Sequence, residues 1–99
     1  MKELVKAFKA LSDETRLKIY KLVLDKPDIC VCEIIKALKM SQTRISRNLS
    51  TLKNAGLVEA RREGIWQHYT VSKDNVAAVD IKAAVNKHVK LISPGGNCK

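Results

Sequence analysis

A chain of 99 residues suffices for one compact domain with a modest core, and no apolar run in it approaches the ~20 residues of a membrane-spanning helix. The formal net charge of +9 points to a polyanionic partner, nucleic acid first, over a merely solvated lysine surface. Three cysteines are an odd number and too few for a disulfide scaffold, so metal binding or redox sensing is favoured in a reducing compartment. The start, Met1-Lys2-Glu3-Leu4, opens a mixed-charge helix and does not read as a signal peptide, so the expected location is cytoplasmic.

Leu4, Val5, Phe8 and Leu11 recur at helical spacing and predict a first helix from Lys2 to Ala10. Ser12-Asp13-Glu14 reads as a helix start, a capping hydroxyl followed by acids in the first turn. That second helix runs to about Asp25 and is stopped by Pro27. A third is expected from Asp28 to Lys39, with Val31, Ile34, Ile35 and Leu38 on one face. Ser41 caps a fourth, which buries Ile45, Leu49 and Leu52 and ends at Ala55-Gly56, with Gly56 as a left-handed cap. Residues 57–62 and 65–71 read as two antiparallel strands around a Glu63-Gly64 turn. In the second strand, Ile65, Gln67, Tyr69 and Val71 share one face, and Trp66, His68 and Thr70 the other. A fifth helix from Lys73 to about Ile92 has Val76, Val79, Ala83, Val85, Val89 and Ile92 as its apolar stripe. The predicted domain is residues 1–92, and residues 93–99 are a flexible tail that carries Cys98.

Five helices and a small β-hairpin in this order make a mainly α, winged helix-turn-helix layout. At about 100° per residue, Thr43, Arg47 and Asn54 point away from the buried stripe of the fourth helix, with Arg44, Ser46 and Ser50 on its flanks. No acid interrupts residues 41–56. Such a face fits the major groove, with Ser41 and the first turn nearest the bases and the free N–H groups favouring phosphate. An ordinary solvated face usually mixes in Glu. Arg61 and Arg62, near the hairpin tip, would steady the wing on neighbouring backbone or minor groove, unless they only guard a sheet edge. Trp66 and His68 read as packing or phosphate-proximal groups.

Cys30-Val31-Cys32 falls immediately before this unit. Residues two apart on a regular helix point about 200° away from each other, so joint capture of one ion is expected to distort the first turn of the third helix. A helix N-terminus also favours the thiolate that metals and oxidants need. The competing reading makes both cysteines small packing residues.

Four stretches resemble the ArsR/SmtB family of bacterial metal-responsive repressors: residues 8–17 (FKALSDETRL), 30–33 (CVCE), 41–49 (SQTRISRNL) and 52–58 (LKNAGLV). The resemblance covers about residues 4–92. It implies a homodimer through the first and last helices, with Leu4, Val5 and Phe8 meeting Val76, Val79, Ala83 and Val89. It implies a palindromic operator in double-stranded DNA, released when an inducer binds, and it adds Gln42 and Ser46 as base contacts. Cys30-Val31-Cys32-Glu33 is similar to the C-V-C-D-L-C signature of arsenite-responsive members, so As(III) or Sb(III) is the implied inducer rather than a cofactor. Ile35 stands where that signature has its third thiol, and Cys98 is the candidate replacement. The last-helix zinc pattern is missing, since Asp80 is followed two residues on by Lys82, and no extra N-terminal cysteines suggest a cadmium/lead site.

Three rival readings follow. Cys30 or Cys32 could pair with Cys98 in a redox- or persulfide-sensing repressor. The chain could be an architectural DNA binder without a sensor. An enzyme is disfavoured, because His68 and His88 fall in a hairpin and a terminal helix with no acid/base constellation.

Overall fold

The computed structural model describes residues 2–72, apart from the side chain of residue 3, and residues 83, 85, 87 and 88. Four complete helices are seen among these, α1 (Lys2–Leu11), α2 (Glu14–Asp25), α3 (Val31–Leu38) and α4 (Gln42–Asn54), with strands β1 (Ile29–Cys30), β2 (Val58–Glu63) and β3 (Trp66–Val71). The expected fifth helix lies mostly outside the described residues. Ala83, Val85, Lys87 and His88 are helical, and Val85 is buried in the core.

Local chemistry explains most boundaries. The cap of α2 is Asp13 rather than Ser12: its carboxylate accepts from the Arg16 N–H at 3.1 Å, while the Ser12 hydroxyl turns back to the Lys9 carbonyl at 2.7 Å. Ser41 caps α4 as expected, accepting from the Arg44 N–H at 3.2 Å. At the other end, the Leu57 N–H bonds the Leu52 carbonyl and the Gly56 N–H the Lys53 carbonyl, both at 3.0 Å. This is a Schellman closure, and it needs the positive φ of 77° that Gly56 supplies. Asp13→Ala is expected to lower unfolding stability by about 0.5–2 kcal/mol, measured by urea titration.

Four expectations are corrected. The sheet has three strands, in the order β1-β3-β2, all antiparallel, because Ile29 and Cys30 pair with Tyr69 and His68. For the same reason α3 starts at Val31, not Asp28. Asp28 sits at φ 62°, a conformation that breaks the helix, and the next two residues are extended. The hairpin loop is Gly64-Ile65, one residue later than read, with Gly64 at φ 61°. The two faces of β3 are not cleanly sorted either: His68 is buried, Trp66 half-buried, and Ile65 is 86% exposed at the tip.

The core gathers Ile19, Tyr20, Leu22 and Val23 of α2, Ile34 of α3, and Ile45, Leu49 and Leu52 of α4 against Leu57, Val58, Tyr69 and Val71. Burial pushes the Tyr20 phenol up to about 12. The sheet and the buried face of α4 therefore pack on one core, and the opposite face of α4 is left outside.

Candidate functional site

α4 presents Gln42, Thr43, Arg44, Ser46, Arg47 and Ser50 as exposed side chains, and Ser41 precedes them, also exposed. No carboxylate lies on the helix. Its tilt is fixed by a contact missed in the sequence. Arg16 donates from Nε to the Ala10 carbonyl at 2.7 Å and from Nη1 to Asn48 Oδ1 at 3.3 Å, and Asn48 Nδ2 donates to the Arg44 carbonyl at 2.9 Å. One guanidinium thus joins the α1–α2 corner to the middle of α4. The only hint was a polar Asn beside a buried stripe.

The wing carries Arg61 and Arg62, both exposed. The structure separates their surroundings. Arg61 is ion-paired with Asp28 and Glu63, and the Asp28 hydrogen bond, ahead of the Glu63 bond and the charges of both, holds its pKa above the ordinary value. The Asp28 carbonyl also meets His68 Nδ1 at 2.9 Å. Arg61 therefore ties the wing to the turn before β1. Arg62 instead lines a cleft beside α4.

That cleft, about 290 Å³, brings the sequence-derived groups together. Cys30 and Cys32 form one wall, Gln42 and Ser46 of α4 another, and Arg62 and Trp66 of the wing a third. Ile35 lines it too, so the residue standing where the resembled signature has a thiol offers an apolar surface to the same space.

The sulfur geometry overturns the expected splay of the two cysteines on one helix. Cys30 is not in α3. It is the extended residue before it, at φ −76° and ψ 140°, and pairs with His68 in the sheet. Extended backbone at Cys30 and helical backbone at Cys32 turn both side chains the same way, and the Sγ atoms lie 3.1 Å apart. The two sulfurs are adjacent with α3 intact. Cys30 is a free thiol, while Cys32 is disulfide-bonded. Among the described residues, no group of three or more His, Cys, Asp or Glu is placed to hold a metal ion. Cys98 lies outside the described residues.

Leu4, Val5 and Phe8 of α1 are 41%, 44% and 58% exposed, an apolar strip left without cover by the chain's own core. Ala83 is exposed; Val76, Val79 and Val89 lie outside the described residues. No helix among the described residues is long and apolar enough to cross a membrane.

A capped helix with a polar, basic outer face, held on a core and followed by a β-hairpin, defines a winged helix-turn-helix DNA-binding domain. Residues 13–60 match the family model described as bacterial regulatory protein, arsR family. The chain is 47% identical over 72 residues to an uncharacterised HTH-type transcriptional regulator of Methanocaldococcus jannaschii, covering 73% of this chain and 81% of that protein. It is 37% identical to the arsenic resistance transcriptional regulator ArsR1 of Pseudomonas putida, over 88% of this chain and 70% of the relative. A cadmium resistance transcriptional regulatory protein CadC homolog of Staphylococcus aureus is 33% identical, over 86% and 70% respectively. Among solved structures, the homodimeric winged helix-turn-helix DNA-binding domain of a possible ArsR-family transcriptional regulator from Mycobacterium bovis gives a TM-score of 0.75 at 35% identity, covering 87% of this chain and 77% of that one. The chain belongs to the ArsR family of bacterial transcription regulators.

Proposed function

We propose that the protein is a homodimeric, metalloid-responsive repressor that leaves a palindromic operator when As(III) or Sb(III) binds its thiolates. The observation that carries this reading is the 3.1 Å sulfur pair opening into the cleft shared by Gln42, Ser46 and Arg62. In the reduced protein, arsenite exchanges its hydroxyls for sulfur: each thiol proton leaves with one arsenic hydroxyl as water. Two such steps use Cys30 and Cys32, and Cys98 of the same or the partner subunit supplies the third sulfur. The name of the Pseudomonas relative supports arsenic, and that of the Staphylococcus relative keeps cadmium in the test.

Release follows from shared space. Ser41, Gln42, Thr43, Arg44, Ser46, Arg47 and Ser50 make the groove contacts, and Arg62 reaches the backbone beside them, with Arg61 holding the wing. An ion on Cys30 and Cys32 fills the cleft between α4 and the wing and shifts both. A coupling of ~1–3 kcal/mol per site is enough for a useful switch. The functional test is operator binding by fluorescence anisotropy in excess thiol reductant, titrated with arsenite, antimonite and cadmium. Release by the metalloids supports the proposal; an operator complex indifferent to all three overturns it.

Dimerisation uses Leu4, Val5 and Phe8 against the last helix, with Val76, Val79, Ala83 and Val89. Phe8→Ala is expected to weaken self-association about tenfold, read by sedimentation, because part of a large side chain loses its burial.

A second reading is favoured by one observation, the disulfide at Cys32 beside the free Cys30 thiol. In it the signal is oxidation or persulfide exchange among Cys30, Cys32 and Cys98. Release by arsenite under full reduction counts against it; release only by oxidant or persulfide counts for it.

A further inference from the structure

A second cleft, about 320 Å³, opens between α1 and the C-terminal half of α4. Lys6, Lys9 and Arg16 line it together with Thr51 and Asn54, and none of its lining residues is acidic. Thr51 and Asn54 continue, at helical spacing, the exposed stripe of Thr43 and Arg47. The cleft is therefore an extension of the reading face, not a separate surface.

Among the described residues, the ion pairs leave its two lysines unneutralised, as they leave Arg44, Arg47 and Arg62 on α4 and the wing. The acids neutralise Lys18, Lys21, Lys26 and Arg61. Lys6 and Lys9 are exposed and, among the described residues, have no carboxylate partner, although they lie one turn apart on the same side of α1. Arg16 is pinned by Ala10 and Asn48, so its charge is fixed in place at the cleft. On α1, the Lys6/Lys9 side is about 120° from the Leu4/Val5/Phe8 side at 100° per residue. A partner subunit centred on the apolar strip leaves Lys6 uncovered, with Lys9 at its margin beside Val5.

We propose that this cleft is a clamp for the DNA backbone: with α4 in the major groove, Lys6 and Lys9 meet phosphates bordering that groove, and Arg16 sets the positive field between them. The clamp rests on the operator-binding reading above and adds α1 to the DNA footprint. It adds affinity and no sequence preference, since phosphate contacts position the protein and base contacts specify the site.

The test uses the full chain, reduced, and a duplex selected from a random pool by the wild-type protein, with a scrambled duplex as control. Affinity is measured between 50 and 200 mM salt for wild type, Lys6→Gln/Lys9→Gln and Lys6→Arg/Lys9→Arg. The glutamine variant is expected to lose about 0.9 of the log–log salt slope for each lysine that meets a phosphate, with the ratio of selected to scrambled affinity unchanged. The arginine variant keeps the slope. An unchanged slope in the glutamine variant overturns the clamp, as does a fall that sedimentation traces to a lost dimer, which would make the cleft a subunit contact. Wild-type protein that selects no duplex sinks the operator reading itself, a separate failure.

Discussion

Cys30→Ser and Cys32→Ser are each expected to leave operator affinity within about twofold of wild type and to abolish its dependence on arsenite. In the wild type, the proposed coupling of ~1–3 kcal/mol is expected to make arsenite weaken the operator complex about 5- to 150-fold at each coupled site. With one sulfur replaced by oxygen, the chelate is lost and that factor falls to about one. Ser is close to Cys in shape, Cys30 is only 6% exposed, and the fold asks of it only an extended backbone and a small side chain. The fold should therefore survive, and circular dichroism checks it. Cys98→Ser separates the ligand models: partial loss of response fits a third sulfur from the tail, and a full response means that two protein sulfurs suffice. Anisotropy titrations in excess reductant read all three variants. Retained release in both Cys30→Ser and Cys32→Ser removes the thiol pair from the mechanism.

Arg47→Ala is expected to cost about 1–3 kcal/mol of operator discrimination per half-site, counted twice across a symmetric dimer. Arg47 is exposed on α4, opposite Ile45, Leu49 and Leu52, and its guanidinium has no carboxylate partner among the described residues. It is free to present a planar fork to a guanine edge. Arg61→Ala makes the instructive contrast. That guanidinium is held by Asp28 and Glu63, so its loss should loosen the wing without changing which duplex is preferred. Competition between selected and scrambled duplexes distinguishes the two. Equal loss on both duplexes for Arg47→Ala would place Arg47 on phosphate instead of a base.

Much of the fold was legible because it is written locally. The 3.6-residue stripe of α4, its Ser41 cap and its Gly56 closure depend on neighbours in the chain, and each stands where the pattern put it. The exposed reading face follows from that stripe by geometry. What escaped is decided at a distance. β1 is two residues long, and only its pairing with Tyr69 and His68, some 40 residues on, makes it a strand. A continuous apolar period through Val31 and Ile34 therefore extended α3 over Asp28–Cys30. That single error produced the second one, the expected splay of the two sulfurs. Arg16 carried no sign of its bond to Asn48, because a side chain reaching 32 residues along the chain leaves no periodicity. Gln42 came only from family resemblance, and its place in the cysteine cleft gives it a physical context that helical geometry alone did not.

The central claim is that sulfur capture and DNA occupancy exclude one another through the space between α4 and the wing. Arsenic X-ray absorption on the reduced, operator-loaded dimer, recorded across an arsenite titration while anisotropy follows the DNA, tests it most directly. The predicted result is arsenic–sulfur coordination growing in proportion to free duplex, with neither change in Cys30→Ser. Full arsenic–sulfur coordination on a dimer that still holds its duplex at undiminished affinity would contradict it.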